Sequence, residues 1–382
     1  MDPTFRRYSL FYLCYYAALG AYTPYIGRWV ASLGHGGWVV GAMLGLWYAS
    51  RIVGPPAWSV ASHGSARQGR WFVAGCALTA LCFAGFFLTR SAWALLAVMA
   101  LFGLFYNAVM PQFEAMTLTA LADRPERYGR LRVWGSIGFL LVAGSYGALL
   151  DRAGAQAFPW LALPLFAFMA GCAWTHRADA RPPRPQTPAV GHLWKRPGVR
   201  RFLLVAFLMQ LGFGPFYVFY TLHLQAHGHT LGTIGALWAL GVVIEIALFW
   251  QAPKLIARFG AAPLLQLCMA VTALRWLVVG LFADSLAVMA LAQTTHALSF
   301  AVFHACTMRL MADFFPGERA GAGQSLLYGF SQGLGGVFGA LMAALAWESA
   351  GGGALAFGLG GAASAVAFAL YAIRRRGAEV EK

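Results

Sequence analysis

Apolar stretches of about twenty residues recur along the whole of this 382-residue sequence. A bilayer's hydrocarbon core takes ~20 apolar residues of helix to cross, and only helices or closed barrels satisfy their backbone polar groups there. Repetition at this length points to a bundle of membrane-spanning helices. Twelve runs are read, at roughly 8–31, 37–61, 70–89, 92–121, 129–150, 157–175, 200–226, 232–256, 262–282, 285–312, 321–347 and 354–373, with 37–61 and 129–150 the least clean. Composition agrees: 60% of residues are hydrophobic and only 11% charged, against ~25% charged in an ordinary soluble domain. The first run follows Arg6 and Arg7, as a signal peptide would. It is about 24 residues long, carries Pro24 and Arg28 near its end and is followed by no small-residue cleavage site, so it is read as a retained span.

The net charge of +15 would suit a nucleic-acid binder if it formed a patch, but it does not. With the N-terminus inside, 23 of the 28 basic residues fall in cytoplasmic segments, and the opposite side holds Arg28, Arg90 and Arg152. Arg51 and Arg275 lie within spans. The positive-inside rule accounts for this asymmetry and places both termini in the cytoplasm. The basic excess then meets anionic headgroups rather than nucleic acid. Twenty-five arginines against three lysines suggest a GC-rich bacterial genome, hence a bacterial inner membrane. The six cysteines all sit in apolar runs, without metal-ligand or redox spacing, and are read as small packing residues.

Of thirteen acidic residues only Glu114 and Glu245 fall inside the apolar runs. Arg51, Arg275, His296 and His304 are buried with them. A charge at the bilayer centre costs at least ~2.5–3.5 kcal/mol and is kept where it faces a partner, a cavity or a substrate path. The set reads as the polar centre of a transporter. Glu245 and Arg275 lie ~11 and ~13 residues from the cytoplasmic ends of spans eight and nine, both near midplane at 1.5 Å per residue. His296 and His304, eight residues apart, face broadly similar directions along span ten. Such groups can form a proton-dependent network, in which burial and a nearby arginine compete over a carboxyl proton. The rival is a static Glu245–Arg275 pair that fixes helix packing. In the first half, Glu114 could pair with Arg51 in span two or with Arg132 at the start of span five. A ligand carboxylate could compete for the freed arginine through bidentate hydrogen bonds.

Candidate walls of a site are Tyr15, Tyr16 and Tyr22 in span one, Asn107 and Gln112 in span four, Tyr217 and Tyr220 in span seven, and Gln324, Tyr328 and Gln332 in span eleven. Aromatic walls suit an aromatic ligand and polar tips orient it. Tyr8 and Tyr371, near span ends, are read as interface anchors.

The longest polar interruption, 176–199, is dense in proline and arginine and makes a good linker. It divides the chain into six-span halves, 1–175 and 200–382. Six plus six with a central cytoplasmic loop is the layout of secondary transporters whose site lies near the midplane. Gly335-x-x-x-Gly339 in span eleven permits close backbone approach, within the bundle rather than in a dimer.

Four segments carry a resemblance. One is Tyr128-Gly129-Arg130-Leu131-Arg132-Val133-Trp134-Gly135-Ser136-Ile137-Gly138-Phe139, entering span five. The others are Leu237-Trp238-Ala239-Leu240-Gly241-Val242-Val243-Ile244-Glu245, Arg275-Trp276, and His296 followed by His304-Ala305-Cys306-Thr307-Met308-Arg309. Over nearly the whole chain the sequence resembles the phenylpropionate permease branch of the major facilitator superfamily, a sister of the lactose-permease-type proton symporters. The resemblance implies a proton-linked importer of an aromatic or other organic acid, with spans one, four, seven and ten lining its cavity. The loop from Ser62 to Arg70 lacks the aspartate of the superfamily signature. Ser299 stands where lactose-type symporters carry a carboxylate three residues after the span-ten histidine, which leaves Glu245 as principal proton carrier.

No phosphate loop, His-Glu-x-x-His or Gly-x-Ser-x-Gly motif is present, so an enzyme is not expected. The expectation is an all-α protein of twelve transmembrane helices in the major facilitator fold. It works as a monomer without cofactor, energised by the proton gradient, and imports a small aromatic carboxylate. Coupling would rest on Glu245, Arg275, His296, His304 and Glu114. Substrate contacts would come from Arg51, Arg132, Tyr15, Tyr16, Asn107, Gln112, Tyr217, Tyr220, Gln324 and Tyr328. A sugar or nucleoside symporter, a drug efflux carrier, and a membrane sensor or embedded enzyme are the alternatives.

Overall fold

A computed structural model describes residues 2–65, 67–124, 127–179 and 193–380, with the backbone alone at 318 and 373–380. The linker stretch 180–192, with Arg181 and Arg184, lies outside the described residues, as do Lys382 and the side chains of Arg374, Arg375 and Arg376. The described residues form helices joined by short turns, with no strand among them. Among the described residues, ten helical segments are long and apolar enough to cross a membrane. The first two helices, α1 (Pro3–Ser32) and α2 (Gly37–Ala61), are 30 and 25 residues long but are not among the ten. Tyrosines and Arg6, Arg7 and Arg28 dilute the apolarity of α1, and Arg51 interrupts α2.

The apolar runs map onto helices within a few residues: 92–121 is α4 (Ala92–Ala120) and 262–282 is α10 (Ala261–Leu281). Three runs break. Run 200–226 divides at Phe213 into α7 (Pro197–Gly212) and α8 (Gly214–Ala226), where Pro215 lacks the N–H that would continue the ladder. Run 285–312 passes from α11 (Leu286–Thr294) through a π-helical turn, Leu298–Val302, into α12 (Phe303–Phe314). Run 321–347 does the same from α13 (Ala320–Leu326) through Leu327–Leu334 into α14 (Gly335–Trp347).

The chain divides into two compact units, Met1–Pro183 with His229–Ala239, and Arg184–Gly228 with Leu240–Lys382. In the first, α1 packs on α5 (Tyr128–Ala153) and α6 (Phe158–Ala173), while α4 packs on α2 and on α3 (Gln68–Ala84). Gly138 of α5 lies so close to the Leu13 carbonyl that a Cβ there would collide with it. The start of α9 (Leu231–Phe259) belongs to this unit. Asp151 accepts from the N–H groups of Leu231 and Gly232 at 3.0 and 2.7 Å. A carboxylate thus satisfies orphan donors at the positive end of a helix. In the second unit, α15 (Gly352–Val380) packs on α10, α7 and α14. The small-residue motif acts inside this unit: a Cβ on Gly335 would stand 2.9 Å from the Phe207 carbonyl, and one on Gly339 2.6 Å from that of Leu211.

Tyr8 is not the interface anchor expected from its position. It is buried, and its hydroxyl donates to Asp179 at 2.8 Å. The same carboxylate accepts from His176 Nδ1 at 2.9 Å and meets Arg7 Nη1 at 2.9 Å. Asp179, beyond the end of α6, therefore pins the start of the linker to α1. Burial pushes its carboxyl up, but the hydrogen bonds from His176 and Tyr8 and the charge of Arg7 outweigh it and hold it below its ordinary value. The stabilisation is therefore fully present above the ordinary carboxylate range and is lost as pH falls through the lowered value. Asp179→Asn is expected to cost about 1–3 kcal/mol at neutral pH by leaving buried partners unmatched. The check is a lower melting temperature in detergent, with the gap to the wild type closing as pH drops below about 4.

Candidate functional site

Each unit carries its own polar network. In the first, Glu114 of α4 lies 3.2 Å from Arg132 of α5. Its other oxygen accepts from the hydroxyls of Tyr12 at 2.8 Å and Tyr128 at 2.7 Å. Arg132 donates to the Tyr16 hydroxyl and lies over the rings of Tyr12 and Tyr16. Of the two partners open to Glu114 in the sequence, the fold delivers Arg132. Close packing of α1 on α5 sets this up, since Tyr16 lies against Gly135, one turn beyond Arg132.

Arg51 is left with a different environment. It is half-buried in α2, with its guanidinium 4.1 Å from the Trp47 ring centre and 5.2 Å from that of Tyr48. Among the described residues no carboxylate pairs with it. Tyr15, Tyr22 and Tyr106 lie within its electrostatic reach. Asn107 holds this part of α2 in place, donating to the Trp47 carbonyl at 3.1 Å and the Ser50 hydroxyl at 2.8 Å. The result is a cation among aromatic rings with its charge uncompensated by any acid in contact among the described residues. Cation–π contact stabilises a guanidinium without neutralising it, so an entering anion gains both hydrogen bonds and charge.

The other wall candidates of this unit are engaged with its own helices. Tyr15 stacks on Tyr106 at 4.6 Å, and each hydroxyl reaches the other's backbone carbonyl. Gln112 accepts from Trp58 at 2.8 Å and donates to the Gln68 carbonyl at 3.1 Å. Tyr22 donates to the Met99 sulfur at 3.3 Å.

In the second unit, Glu245 of α9 meets His296 Nε2 at 3.4 Å, and His296 Nδ1 meets Arg275 Nη1 at 3.1 Å. The direct Glu245–Arg275 pair is replaced by a relay with histidine in the middle. A guanidinium only donates, so Nδ1 is the acceptor and the neutral ring carries its proton on Nε2, facing the carboxylate. Protonating Glu245 removes the charge that strengthens that contact. Protonating His296 sets N–H against N–H and breaks the Arg275 contact. Arg275, 3% exposed, also donates to Gln293 at 2.6 Å and lies over Phe216 and Trp276. Gln293 in turn donates to the Tyr220 hydroxyl at 2.9 Å. Ser299 is buried and donates to the Thr295 carbonyl at 3.2 Å.

His304 stacks along Phe300, which also stacks on His296, and lines a cavity with Tyr217 and Gln332. Gln324 and Tyr328 are exposed. Sequence reasoning did not single out Gln293, Tyr12 or Tyr128, which complete the two networks. It also passed over His223, which is buried within run 200–226 and reaches the Val279 carbonyl at 3.1 Å.

A family model described as the MFS_1 like family matches residues 5–358. The chain belongs to this family. It is a family of major facilitator transporters, not of enzymes, and the chain is a multi-pass membrane protein of that kind. Among curated relatives, the MFS_1 like chain is 26% identical over 312 residues to the "Probable 3-phenylpropionic acid transporter" of Escherichia coli K12, covering 80% of this chain and 82% of that one. It is 28% identical over 283 residues to the maltose permease of Geobacillus stearothermophilus, covering 71% and 69%. Among solved structures, the nucleoside transporter NupG superposes with a TM-score of 0.81 at 14% identity, covering 97% of this chain and 99% of that one. The POT family transporter PepTSo gives 0.78 at 12% identity, covering 100% and 99%. These two show the fold alone. The superfamily expected from the span-five, -eight, -nine and -ten motifs is the one to which the chain belongs.

Proposed function

We propose that this transporter imports a small aromatic carboxylate together with a proton across a bacterial inner membrane, by alternating access. All twelve long helical runs, α1 and α2 included, would span the bilayer with both termini cytoplasmic, and a monomer would suffice. The observation that carries the cargo class is Arg51: a half-buried guanidinium held by aromatic faces and met by no carboxylate among the described residues. A ligand carboxylate supplies the missing charge and an aromatic ring suits the surrounding Trp47 and Tyr48. The Escherichia coli relative, a probable 3-phenylpropionic acid transporter, supports the same reading. For coupling, the support is the Glu245–His296–Arg275 relay, in which protonating Glu245 weakens one contact and protonating His296 breaks the other. Glu114 and Arg132 neutralise each other and hold α4 to α5, so their proposed role is support of the site.

The test is equilibrium binding of 3-phenylpropionate against 3-phenylpropionamide, which differ only in the charge Arg51 is proposed to read. Charge-assisted hydrogen bonds contribute ~1.5–3 kcal/mol, so the acid is expected to bind about 10–100-fold more tightly. Equal binding of acid and amide, or binding of maltose or a nucleoside in place of both, would remove the carboxylate reading and leave the transporter.

A further inference from the structure

All six cysteines are free thiols, and two of them touch. Cys14 of α1 and Cys172 of α6 lie with their sulfurs 3.5 Å apart, in reach of a hydrogen bond from one thiol to the other. The two are 158 residues apart in the chain, so no local spacing announces them. Packing of α1 on α6 brings them together, and both lie inside the first unit. Both are buried, Cys14 to 2% exposure and Cys172 to 8%. Side chains that point at each other meet the first geometric requirement of a disulfide. Burial makes an isolated thiol slow to react. A second thiol in contact changes the outcome, because a sulfenic acid formed on one sulfur condenses with the other to a disulfide.

We infer that Cys14 and Cys172 are an oxidative modification site, which a hydroperoxide closes into a disulfide that staples α1 to α6. Cys172, the more exposed of the two, is oxidised first. The peroxide passes one oxygen to its sulfur, the O–O bond breaks, and the thiol proton leaves in a first water. Cys14 Sγ then attacks that sulfur, the S–O bond breaks, and the departing hydroxide takes the Cys14 proton as a second water. The thiols lose two electrons in all, and the peroxide is reduced to water. Tyr12 and Tyr16 flank Cys14 on α1 and hold the Glu114 and Arg132 network. The staple therefore fixes the stretch of α1 that carries this network. It also closes a loop of 158 residues, and a bridge across a long loop constrains the unfolded chain most. The inference is independent of which cargo the transporter carries.

The experiment treats the purified full-length protein with hydrogen peroxide. Remaining thiols are then blocked with N-ethylmaleimide in denaturant, and the digest is mapped by mass spectrometry. The wild type is expected to yield a linked peptide pair joining Cys14 to Cys172 that dithiothreitol removes. Its thermal unfolding midpoint is expected to rise on oxidation and to fall back on reduction. Cys14→Ser is expected to give neither the linked pair nor the rise, and to leave Cys172 as a sulfenic acid that dimedone traps. Cys172→Ser is expected to lose the bridge and the rise as well, which keeps the test open should Cys14→Ser fail to fold. Recovery of both cysteines as maleimide adducts after peroxide overturns the inference. So does a bridge from Cys172 to Cys76, or a Cys14–Cys172 bridge that leaves the midpoint unchanged.

Discussion

Glu245→Gln is expected to abolish uphill uptake while leaving exchange of substrate across the membrane intact. In the wild type the carboxylate accepts the Nε2 proton of His296, whose other nitrogen accepts from Arg275. Glutamine keeps a carbonyl oxygen at that point and preserves much of the contact, but it cannot bind and release a proton. A symporter without its proton carrier can still exchange labelled for unlabelled substrate, because exchange needs no net proton turnover. The expected size follows from the gradient: each pH unit stores about 1.36 kcal/mol, which one coupled proton converts into about tenfold accumulation. Across two pH units carrier-mediated accumulation in the wild type is limited to about 100-fold, and the variant should add no gradient-driven uptake to the protein-free baseline. Counterflow measured beside uptake separates loss of coupling from loss of folding. A variant that still accumulates substrate would move the proton off Glu245.

Arg51→Ala is expected to weaken binding of 3-phenylpropionate by about 10–100-fold, the worth of charge-assisted hydrogen bonds. Arg51→Lys keeps the charge but loses the planar fork and its stacking on Trp47, and is expected to lie between the two. Because Arg51 has no acidic partner in contact among the described residues, removing it strands none of their carboxylates, and the fold should tolerate the change better than it would the loss of Arg132. Removing Arg132 would leave Glu114 with hydroxyls alone. Isothermal titration of both variants against 3-phenylpropionate decides the matter. Unchanged affinity in Arg51→Ala would mean that the carboxylate is read elsewhere.

Hydropathy made most of the fold legible, because helix length and apolarity are local properties of the sequence. Runs 92–121 and 262–282 match α4 and α10 almost residue for residue. The breaks at Phe213 and the two π-helical turns were less visible. Pro215 interrupts a run without ending its apolarity, and a π turn changes hydrogen bonding rather than composition. The candidate site was legible in depth but not in rotation. Matching Glu245 with Arg275 by distance from the span ends brought two members of one network together, yet His296, from a third segment, stands between them. Glu114 had two arginines at plausible reach, and close packing of α1 on α5 decided for Arg132. Gln293 and Tyr12 escaped because nothing local separates a neutral amide or hydroxyl that completes a network from its neighbours in the same run, and Tyr128 was read only as part of a motif. Tyr8 misled for a related reason: a tyrosine near a span end has an interface reading by default, and only the fold shows Asp179 above it.

Uptake of 3-phenylpropionate into liposomes holding the purified protein, with and without an imposed inward proton gradient, tests the central claim most directly. The neutral acid crosses bilayers unaided, so protein-free liposomes and liposomes holding Glu245→Gln set the baseline. The expected result is initial uptake faster than both baselines and rising with the imposed gradient, an excess that disappears when the gradient is collapsed. Uptake through the protein at the same rate and to the same level with and without the gradient would contradict proton coupling.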